Sequence, residues 1–317
     1  MDNISHTLSG LLMRDSAPRH MFESKTFLVF SLLTANAPDI DILFLFAGVE
    51  AYFKHHRGFS HSIFLIPIWG AIPAALAYYI SRKKLGFRAS WLWFSGMVAV
   101  HVLLDWLTSY GTEIFWPIST RLFSANLFPI VDPILVILMA LAAIFVAIKP
   151  QARKRIVKLM LIAIVGLTGL RIYSKTVSES IVRANSGVIM KIHSFADTET
   201  PAAWLNPTRY RVVTVFGNTA ESYRVRPLSG EFEFQGSFPL LIHGDEHYAE
   251  IESFELSKIF LERAQLPVAI ERGDELIFAD LRYSANIGQN KGLSIYFPME
   301  NGKISGEPSM GRRKRNQ

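Results

Sequence analysis

The sequence predicts an α-helical polytopic membrane domain, with about four spans and broken half-helices, followed by a small, mostly β (α+β) soluble domain. Three observations support this fold class: long apolar stretches, basic residues clustered in the first part of the chain, and a tail of short alternating runs. The chain has 317 residues, 50% of them hydrophobic, and no cysteine. This composition excludes a disordered chain and a disulfide-built secreted scaffold.

Four apolar stretches are long enough to form transmembrane helices, which need roughly 17 to 25 residues. They are residues 63–80, 91–110, 130–148 and 156–173. A fifth apolar region, residues 27–48, is interrupted by Pro38, Asp39 and Asp41, so we expect two half-helices that meet at a polar break. The chain opens with a polar run and not with a cleavable signal peptide, so we expect the mature protein to begin at or near Met1.

The charges divide the chain into two parts. Residues 1–175 contain 17 Lys and Arg against 9 Asp and Glu, a net charge of +8, whereas the rest of the chain has a net charge of −2. The basic residues lie between apolar runs and are not interleaved with stacking aromatics, so we expect a lipid bilayer and no nucleic acid as partner. We therefore place a transmembrane domain at residues 1–173 and a mostly β domain at residues 174–317.

The basic loops predict the orientation of the spans. The loops at 82–88 and 149–158 are rich in Lys and Arg and should be cytoplasmic, whereas the loop at 111–129 has Arg121 as its only basic residue. We expect a multi-pass membrane protein with its C-terminal domain outside the cytoplasm. The basic residues 312–315 favour a cytoplasmic C-terminus, but charges in tails contribute little to the positive-inside rule.

Short runs of alternating polarity predict strands in the tail. These runs are residues 188–192, 210–216, 222–225, 238–242, 276–278 and 293–297. Between them, residues 250–264 have apolar positions at helical spacing. This pattern predicts a mixed domain in which strands dominate.

Ionisable side chains inside apolar segments are costly, so each is a candidate functional residue. His101 and Asp105 lie four residues apart in the second span and therefore share a helix face. At about 1.5 Å per residue, Asp105 and Asp39 both lie roughly 20 Å above the cytoplasmic ends of their segments. The other candidates lie at the outer ends of spans or near the start of the chain, which predicts a polar site near the outer leaflet: Asp2, His6, Asp41, His55, His56, Arg57, His61 and Asp132.

Carboxylates and imidazoles without a thiolate form a ligand set that suits Zn²⁺ best, with Mn²⁺ or Fe²⁺ as other choices. We predict metal ligands among Asp2, His6, Asp39, His56, His61, His101 and Asp105. Hydrolysis by a metal-activated water is the natural chemistry of such a site. We assign catalytic roles to Arg57, which is suited to holding a phosphate, and to Asp41 or Asp132 as general base or ligand-orienting group.

Two of these residues have an equally good structural explanation. Asp2 precedes a helix-like stretch and is suited to an N-cap. Asp39 follows Pro38 and fits the first turn of the next half-helix.

Four motifs carry a resemblance to a known family. They are Asp2-Asn3-Ile4-Ser5-His6 with Gly10, Pro38-Asp39-Ile40-Asp41, His56-Arg57-Gly58-Phe59-Ser60-His61-Ser62, and His101 and Asp105 with Tyr110-Gly111. In order and spacing they resemble the bacterial inner-membrane, LexA-associated metal-dependent hydrolase family, the YdjM-like proteins. The match covers about the first 135 residues, and the tail is similar to that of longer members.

The resemblance implies a membrane-embedded, metal-dependent hydrolase. The family's histidine and aspartate motif positions correspond to His6, Asp39, His56, His61, His101 and Asp105. The spacing of His101 and Asp105 also resembles that of zinc phospholipase C enzymes, which favours a phosphoester or lipid substrate.

The leading hypothesis is therefore a metal-dependent hydrolase that acts on a phosphoester or lipid-linked substrate near the outer leaflet. The first alternative is a transporter or ion-coupled permease, because transporters also contain broken helices with carboxylates at membrane depth. The second is a non-catalytic membrane anchor whose tail binds a partner.

Overall fold

The computed structural model describes residues 1–187, 189–283 and 294–310. The chain divides into two compact units, Met1–Arg171 and Ile172–Gln317. Parts of three predicted features lie outside the described residues. These are Val188 and Leu293 in two predicted strands, and the basic end at residues 312–315.

The first unit consists mainly of helices. Their bounds are α1 Asn3–Ser16, α2 Arg19–Phe22, α3 Lys25–Ala35, α4 Val49–His55, α5 Ile66–Ile80, α6 Phe87–Trp106, α7 Pro133–Ile148 and α8 Arg153–Asn185. Shorter-pitched 3₁₀ helices occur at Ala37–Ala47, Phe59–His61, Ile63–Leu65 and Pro150–Ala152. Helix α8 continues beyond the end of the first unit.

Three helical segments are long and apolar enough to cross a membrane: Ile63–Ile80, Phe87–Trp106 and Pro150–Asn185. A fourth span results when α3 and the 3₁₀ helix Ala37–Ala47, which meet at a bend of 55°, are counted together. Helix α7 has 16 residues and is therefore about 24 Å long. It is shorter than the predicted span at 130–148 because Asp132 caps it and the helix begins at Pro133.

The bend after α3 forms the predicted polar break. Helix α3 ends at Ala35, and the next segment continues with 3₁₀ pitch from Ala37, with Pro38 in its first turn. Proline has no N–H group and does not fit the interior of an α-helix, so it marks a natural boundary between the two segments. Asp39 consequently lies in the first turn of the second segment.

Helix α6 begins and ends four residues earlier than the predicted span at 91–110. Its end is set by the following loop, because the carbonyl of Trp106 accepts a hydrogen bond from the N–H of Ala125 at 2.7 Å. The carbonyl of Leu107 similarly accepts one from the N–H of Leu127 at 3.0 Å. Asp105 therefore lies in the last turn of the helix.

A glycine allows α1 and α3 to approach closely. A Cβ atom added at Gly10 would lie 2.4 Å from the Cβ of Ala35 and 2.9 Å from the carbonyl oxygen of Ser31. Both distances are shorter than van der Waals contact, so no larger residue fits without moving one helix. This contact fixes α1, which carries His6, against the end of α3.

The second unit contains two antiparallel sheets among its described residues. Its strands are β1 Lys191–Ala196, β2 Tyr210–Phe216, β3 Thr219–Arg226, β4 Glu231–Pro239, β5 Pro267–Arg272, β6 Glu275–Asp280, β7 Ser294–Glu300, β8 Lys303–Ile304 and β9 Ser309–Met310. The orders are β1-β2-β3-β4 and β5-β6-β7-β8, with β9 paired to β7. The predicted helical stretch at 250–264 forms two helices, Tyr248–Glu252 and Glu255–Arg263. The predicted fold class is confirmed.

Buried arginines and carboxylates occur together inside the second unit. Arg211 donates hydrogen bonds to the carbonyl oxygens of Leu281 at 2.5 Å and Arg282 at 2.8 Å. Its Nε also lies 4.0 Å from a carboxylate oxygen of Glu199. Burial lowers the pKa of Arg211, and the neighbouring carboxylate of Glu199 opposes this effect. We call this set, completed by the pairs Arg224–Asp197, Arg224–Glu199 and Arg282–Asp280, the arginine network.

Candidate metal centre

Helix α6 contributes two side chains to a buried polar cluster. His101 and Asp105 are one helical turn apart and both are fully buried. The Nε2 atom of His101 lies 3.4 Å from Oδ2 of Asp105. The predicted sharing of one helix face is thus observed.

Two further side chains reach the same point from separate elements. Asp39 comes from the first turn of the 3₁₀ helix Ala37–Ala47, and His61 ends the short 3₁₀ helix Phe59–His61. Each of Asp39, His61, His101 and Asp105 offers one ligand atom, and these four atoms lie within 4.8 Å of one another. We call this set the four-residue group.

The spacing of the donor atoms fits a single metal ion. The Nε2 atoms of His61 and His101 are 3.2 Å apart, and Oδ2 of Asp105 lies 3.0 Å from Nε2 of His61. Both Nε2 atoms lie 3.5 Å from Oδ1 of Asp39. A tetrahedral ion with bonds of about 2.0–2.1 Å requires donor separations of about 3.3 Å. Five of the six donor separations in the four-residue group therefore lie close to those of a tetrahedral zinc site.

A backbone carbonyl sets the tautomer of His101. Its Nδ1 lies 2.7 Å from the carbonyl oxygen of Ala35, the last residue of α3. A carbonyl oxygen only accepts hydrogen bonds, so Nδ1 carries the proton and Nε2 presents a lone pair to the group.

A serine and a carboxylate set the tautomer of His61. The hydroxyl of Ser60 donates to Oδ2 of Asp41 at 3.4 Å, which leaves its oxygen to accept from Nδ1 of His61 at 3.0 Å. The same carboxylate oxygen lies 3.7 Å from Nδ1 of His61. His61 therefore also presents the lone pair of Nε2. Two such lone pairs and two carboxylates meet at one point, an arrangement that requires a cation or a proton between them.

Asp41 organises the histidine loop and does not join the four-residue group. One of its oxygens accepts a hydrogen bond from the backbone N–H of Arg57 at 2.9 Å. The other lies 3.2 Å from Nδ1 of His56. The ligand-orienting role considered for Asp41 matches this geometry, whereas the role of general base does not, because both oxygens are already engaged.

His56, a predicted ligand, also lies outside the four-residue group. Its ring stacks on Tyr52 with centroids 4.7 Å apart and contacts Tyr110 edge-on at 5.2 Å. Burial lowers the pKa of His56, and its contact with Asp41 opposes this effect. Its position supports Asp41, which in turn orients His61. His55 is directed elsewhere, since its ring stacks on Phe44.

Arg57 has its guanidinium next to a metal-ligand candidate. Its Nη2 lies 3.0 Å from Oδ1 of Asp105, and its Nη1 donates to the hydroxyl of Thr108 at 3.0 Å. The guanidinium also lies 4.8 Å above the ring of Tyr110. Arg57 thus balances the charge of Asp105, and the predicted grip on a substrate phosphate would have to compete with these contacts.

Helix α1 brings His6 against the four-residue group. The ring of His6 stacks on His101 with centroids 3.6 Å apart, and its Nε2 lies 3.3 Å from Oδ1 of Asp105. The amino group of Met1 also contacts this oxygen. Burial lowers the pKa of His6 to about 4, so its imidazole is neutral at pH 7. His6 is therefore a fifth potential donor, and the third nitrogen, beside the four-residue group.

Two predicted site residues have structural roles elsewhere. Asp2 is the N-cap of α1, with its carboxylate accepting from the N–H and hydroxyl of Ser5. Asp132 caps α7 through the N–H of Leu135 at 2.9 Å and pairs with the buried Arg171 at 2.5 Å. The structure therefore gives Asp2 and Asp132 capping roles and does not bring either residue into the four-residue group.

Two buried carboxylate oxygens of the group lack hydrogen bonds within the described part of the chain: Oδ2 of Asp39 and Oδ2 of Asp105. Buried polar atoms are usually paired, so these oxygens need a partner such as a cation. The chain offers donors of the right type, number and spacing for that partner.

Sequence reasoning missed two groups around the site, the carbonyl of Ala35 and the hydroxyl of Thr108, and also the partner of Asp132, which is Arg171. A carbonyl leaves no trace in the sequence. Arg171 lies in the apolar stretch 156–173, and the cost of an unpaired charge there is the signal that could have indicated a partner.

Comparisons with known proteins show the family of the chain. The family model of the YdjM inner membrane proteins matches residues 1–178, more than half of the chain. The uncharacterized protein YfhP of Bacillus subtilis (strain 168) is 26% identical over 238 residues, which cover 73% of this chain and 66% of that protein. No solved structure matches the chain. The match includes every residue of the four-residue group, and the chain belongs to the YdjM inner membrane protein family.

Proposed function

We propose that this membrane protein is a metal-dependent hydrolase in which His61, His101 and Asp105 would hold the metal ion and the partly exposed Asp39 would lie beside the position left open for water. The observation that carries the proposal is the convergence of four donor atoms within 4.8 Å. Zinc suits the set of two imidazoles and two carboxylates best, and manganese or iron are the other choices. Such an ion, when bound, acts as a Lewis acid and makes water a nucleophile near neutral pH.

The chain supplies a preorganised set of ligands. The carbonyl of Ala35 and the hydroxyl of Ser60 direct the lone pairs of His101 and His61 toward the same point. Arg57 lies against Asp105 and offsets part of the negative charge. Because these partners are already in place, little reorganisation is needed when a ligand enters.

Asp39 is the residue of the group best placed to accept a proton. Its side chain is 13% exposed, whereas those of the other three are buried. Its Oδ2 accepts no hydrogen bond among the described residues. A carboxylate in this position can take a proton from an incoming water, a role that Asp41 and Asp132 do not fit because their oxygens are engaged.

The surroundings of Asp39 favour a substrate that comes from the bilayer. The 3₁₀ helix Ala37–Ala47, which contains Asp39, exposes several large apolar side chains, of which Phe46 is 91% exposed. Ile42 and Leu43 are 51% and 53% exposed. We infer a lipid-linked or phosphoester substrate whose apolar part lies along this segment, near the outer leaflet of a multi-pass inner-membrane protein with its C-terminal domain outside the cytoplasm.

The test is hydrolysis by the full-length protein, purified in detergent and loaded with zinc, manganese or iron. The probes are a chromogenic phosphodiester and phosphatidylglycerol in mixed micelles. We expect turnover that falls to background in His101→Ala and is retained in Asp2→Asn, since asparagine caps a helix as well as aspartate does. A metal-loaded protein that hydrolyses neither probe, or an activity unaffected by His101→Ala, would contradict the proposal.

A further inference from the structure

A basic cleft lies at the far end of α1 and α3 from the four-residue group. Its volume is about 450 Å³, within the usual range for ligand pockets. Asp15, beside this cleft, is nine residues after His6 in α1, a rise of about 14 Å. The cleft is therefore a separate site. We call it the basic cleft, and its lining residues are Arg19, Phe22, Glu23, Pro150, Gln151, Arg153 and Lys154.

The lining of the basic cleft has an excess of positive charge. Three basic side chains, Arg19, Arg153 and Lys154, face one acidic side chain, Glu23. Glu23 lies 2.7 Å from Nε of Arg19 and offsets that one charge. The cleft therefore retains the charge of Arg153 and Lys154, which favours an anionic ligand.

Packing holds one of these cations in a fixed position. Arg153 is 8% exposed, and its guanidinium lies 4.5 Å from the ring centroid of Phe22. Its Nη1 donates to the carbonyl oxygen of Asp15 at 3.3 Å. The guanidinium of Arg14 lies 4.1 Å from the same ring. An arginine fixed in this way loses little conformational freedom when it binds an oxyanion.

The cleft lies where an apolar segment begins. Pro150, Gln151, Arg153 and Lys154 open the candidate span Pro150–Asn185. Beyond them, α8 exposes Leu159 (58%) and Ile162 (58%). Basic residues are thus followed along α8 by an exposed apolar surface, and a ligand with a charged head and apolar chains matches this arrangement.

We propose that the basic cleft binds the phosphate headgroup of an anionic phospholipid, with the acyl chains along the exposed face of α8. Arg153 provides the fixed contact at the base, and Lys154 and Arg19 close over the phosphate from the rim. This inference is independent of the hydrolase proposal, because none of its residues belongs to the four-residue group.

The experiment measures lipid binding to delipidated full-length protein by native mass spectrometry, with phosphatidylglycerol and phosphatidylcholine as probes. We expect phosphatidylglycerol to bind about tenfold more tightly than phosphatidylcholine, and Arg19→Gln/Lys154→Gln to remove this preference. Both substituted residues are exposed, so the fold should be kept. Lys84→Gln/Arg88→Gln is the matched control, since it removes the same charges from exposed positions outside the cleft.

Three outcomes would overturn the inference. One is an equal loss of phosphatidylglycerol preference in both double variants, which would indicate diffuse electrostatics and no defined cleft. Another is displacement of phosphatidylglycerol by millimolar inorganic phosphate, which would reassign the cleft to a free phosphate. The third is the absence of any preference in the wild type. Bound metal, measured on the same samples, should be equal in all three proteins.

Discussion

The four-residue group of the first unit and the arginine network of the second unit are both buried clusters of charged side chains, but they differ in how their charges are paired. In the arginine network, each arginine contacts a carboxylate or donates to a carbonyl, as Arg211 does with Leu281. In the four-residue group, two imidazole nitrogens and two carboxylates present lone pairs to one point. Among the described residues, Oδ2 of both Asp39 and Asp105 accepts no hydrogen bond.

This difference separates a structural cluster from a ligand site. The network contains three arginines and three carboxylates, so its charges balance: Arg211, Arg224, Arg282, Asp197, Glu199 and Asp280. Each carboxylate has an arginine of the network as its partner. The four-residue group has a surplus of acceptors that Arg57 and the amino group of Met1 offset only in part, so we expect an added cation to stabilise it.

The largest expected effect comes from a substitution that breaks the arginine network. Arg211→Ala leaves the carbonyls of Leu281 and Arg282 without their donor and the carboxylate of Glu199 with one partner fewer. We expect the second unit to lose about 3–5 kcal/mol of unfolding free energy, with bound metal unchanged. Chemical denaturation of the full-length protein measures the first quantity and elemental mass spectrometry the second.

The matched control is Arg226→Ala, because Arg226 is exposed on β3 and pairs with Glu231 at 2.6 Å. An exposed pair contributes about 0–1 kcal/mol, so this variant should be close to wild type. Equal destabilisation by the two substitutions would contradict the assignment of a structural role to the buried network.

The second prediction concerns a substitution that weakens the contact between Asp41 and His61 and leaves the four candidate ligands unchanged. Asp41→Asn keeps an acceptor for the N–H of Arg57 but removes the negative charge beside Nδ1 of His61. We expect zinc affinity to fall about 10- to 100-fold, with full stoichiometry regained at high zinc. Competition with a chelator measures this affinity. Asp2→Asn is the control and should leave the zinc affinity unchanged. If high zinc did not restore the metal stoichiometry of Asp41→Asn, Asp41 would itself be a ligand.

The third prediction concerns a substitution that shifts the four-residue group without changing any of its side chains. Gly10→Ala places a Cβ atom 2.4 Å from the Cβ of Ala35, whose carbonyl orients His101. We expect a stability loss of about 1–3 kcal/mol and weaker zinc binding, because α1 and α3 must separate. Gly166→Ala in α8 has no atom within 4 Å of its added Cβ and should bind zinc normally. Wild-type behaviour of Gly10→Ala would show that this helix contact does not position the site.

The smallest expected effect is a pH dependence confined to the second unit. Partial burial lowers the pKa of His247, but a hydrogen bond to Glu271 and the nearby carboxylate of Glu250 raise this pKa above its ordinary value. Protonation therefore stabilises the folded state, fully below the unfolded pKa of about 6.5, and this contribution is lost as the pH rises through the folded pKa. Thermal unfolding between pH 5 and 8 measures the slope. His247→Gln should flatten it, and an unchanged slope would contradict the assignment.

Much of the site follows from the sequence because its residues lie on regular elements. The spacing of His101 and Asp105 places both on one helix face, and the rise of the helices brings Asp39 to the same depth. His61 follows from its position just before a span. These inferences need only helix geometry and the cost of a buried charge.

The roles of the remaining residues depend on contacts that local patterns do not contain. Asp2 and Asp132 both precede helices, where a carboxylate is equally suited to capping and to binding a metal. The role of Asp132 depends on its ion pair with Arg171, which comes from a different helix. His56 and His61 lie in one loop, and only the fold shows that Asp41 separates their functions.

The most direct test of the central claim is the metal content of the purified full-length protein, measured by elemental mass spectrometry. Wild type should be compared with His61→Ala/His101→Ala and with the capping variant Asp2→Asn. We predict about one transition metal ion per chain in wild type and Asp2→Asn, with zinc preferred, and background content in the double variant. Equal metal in all three proteins, or none in wild type after purification without chelators and reloading, would contradict the claim and favour a transporter or a membrane anchor.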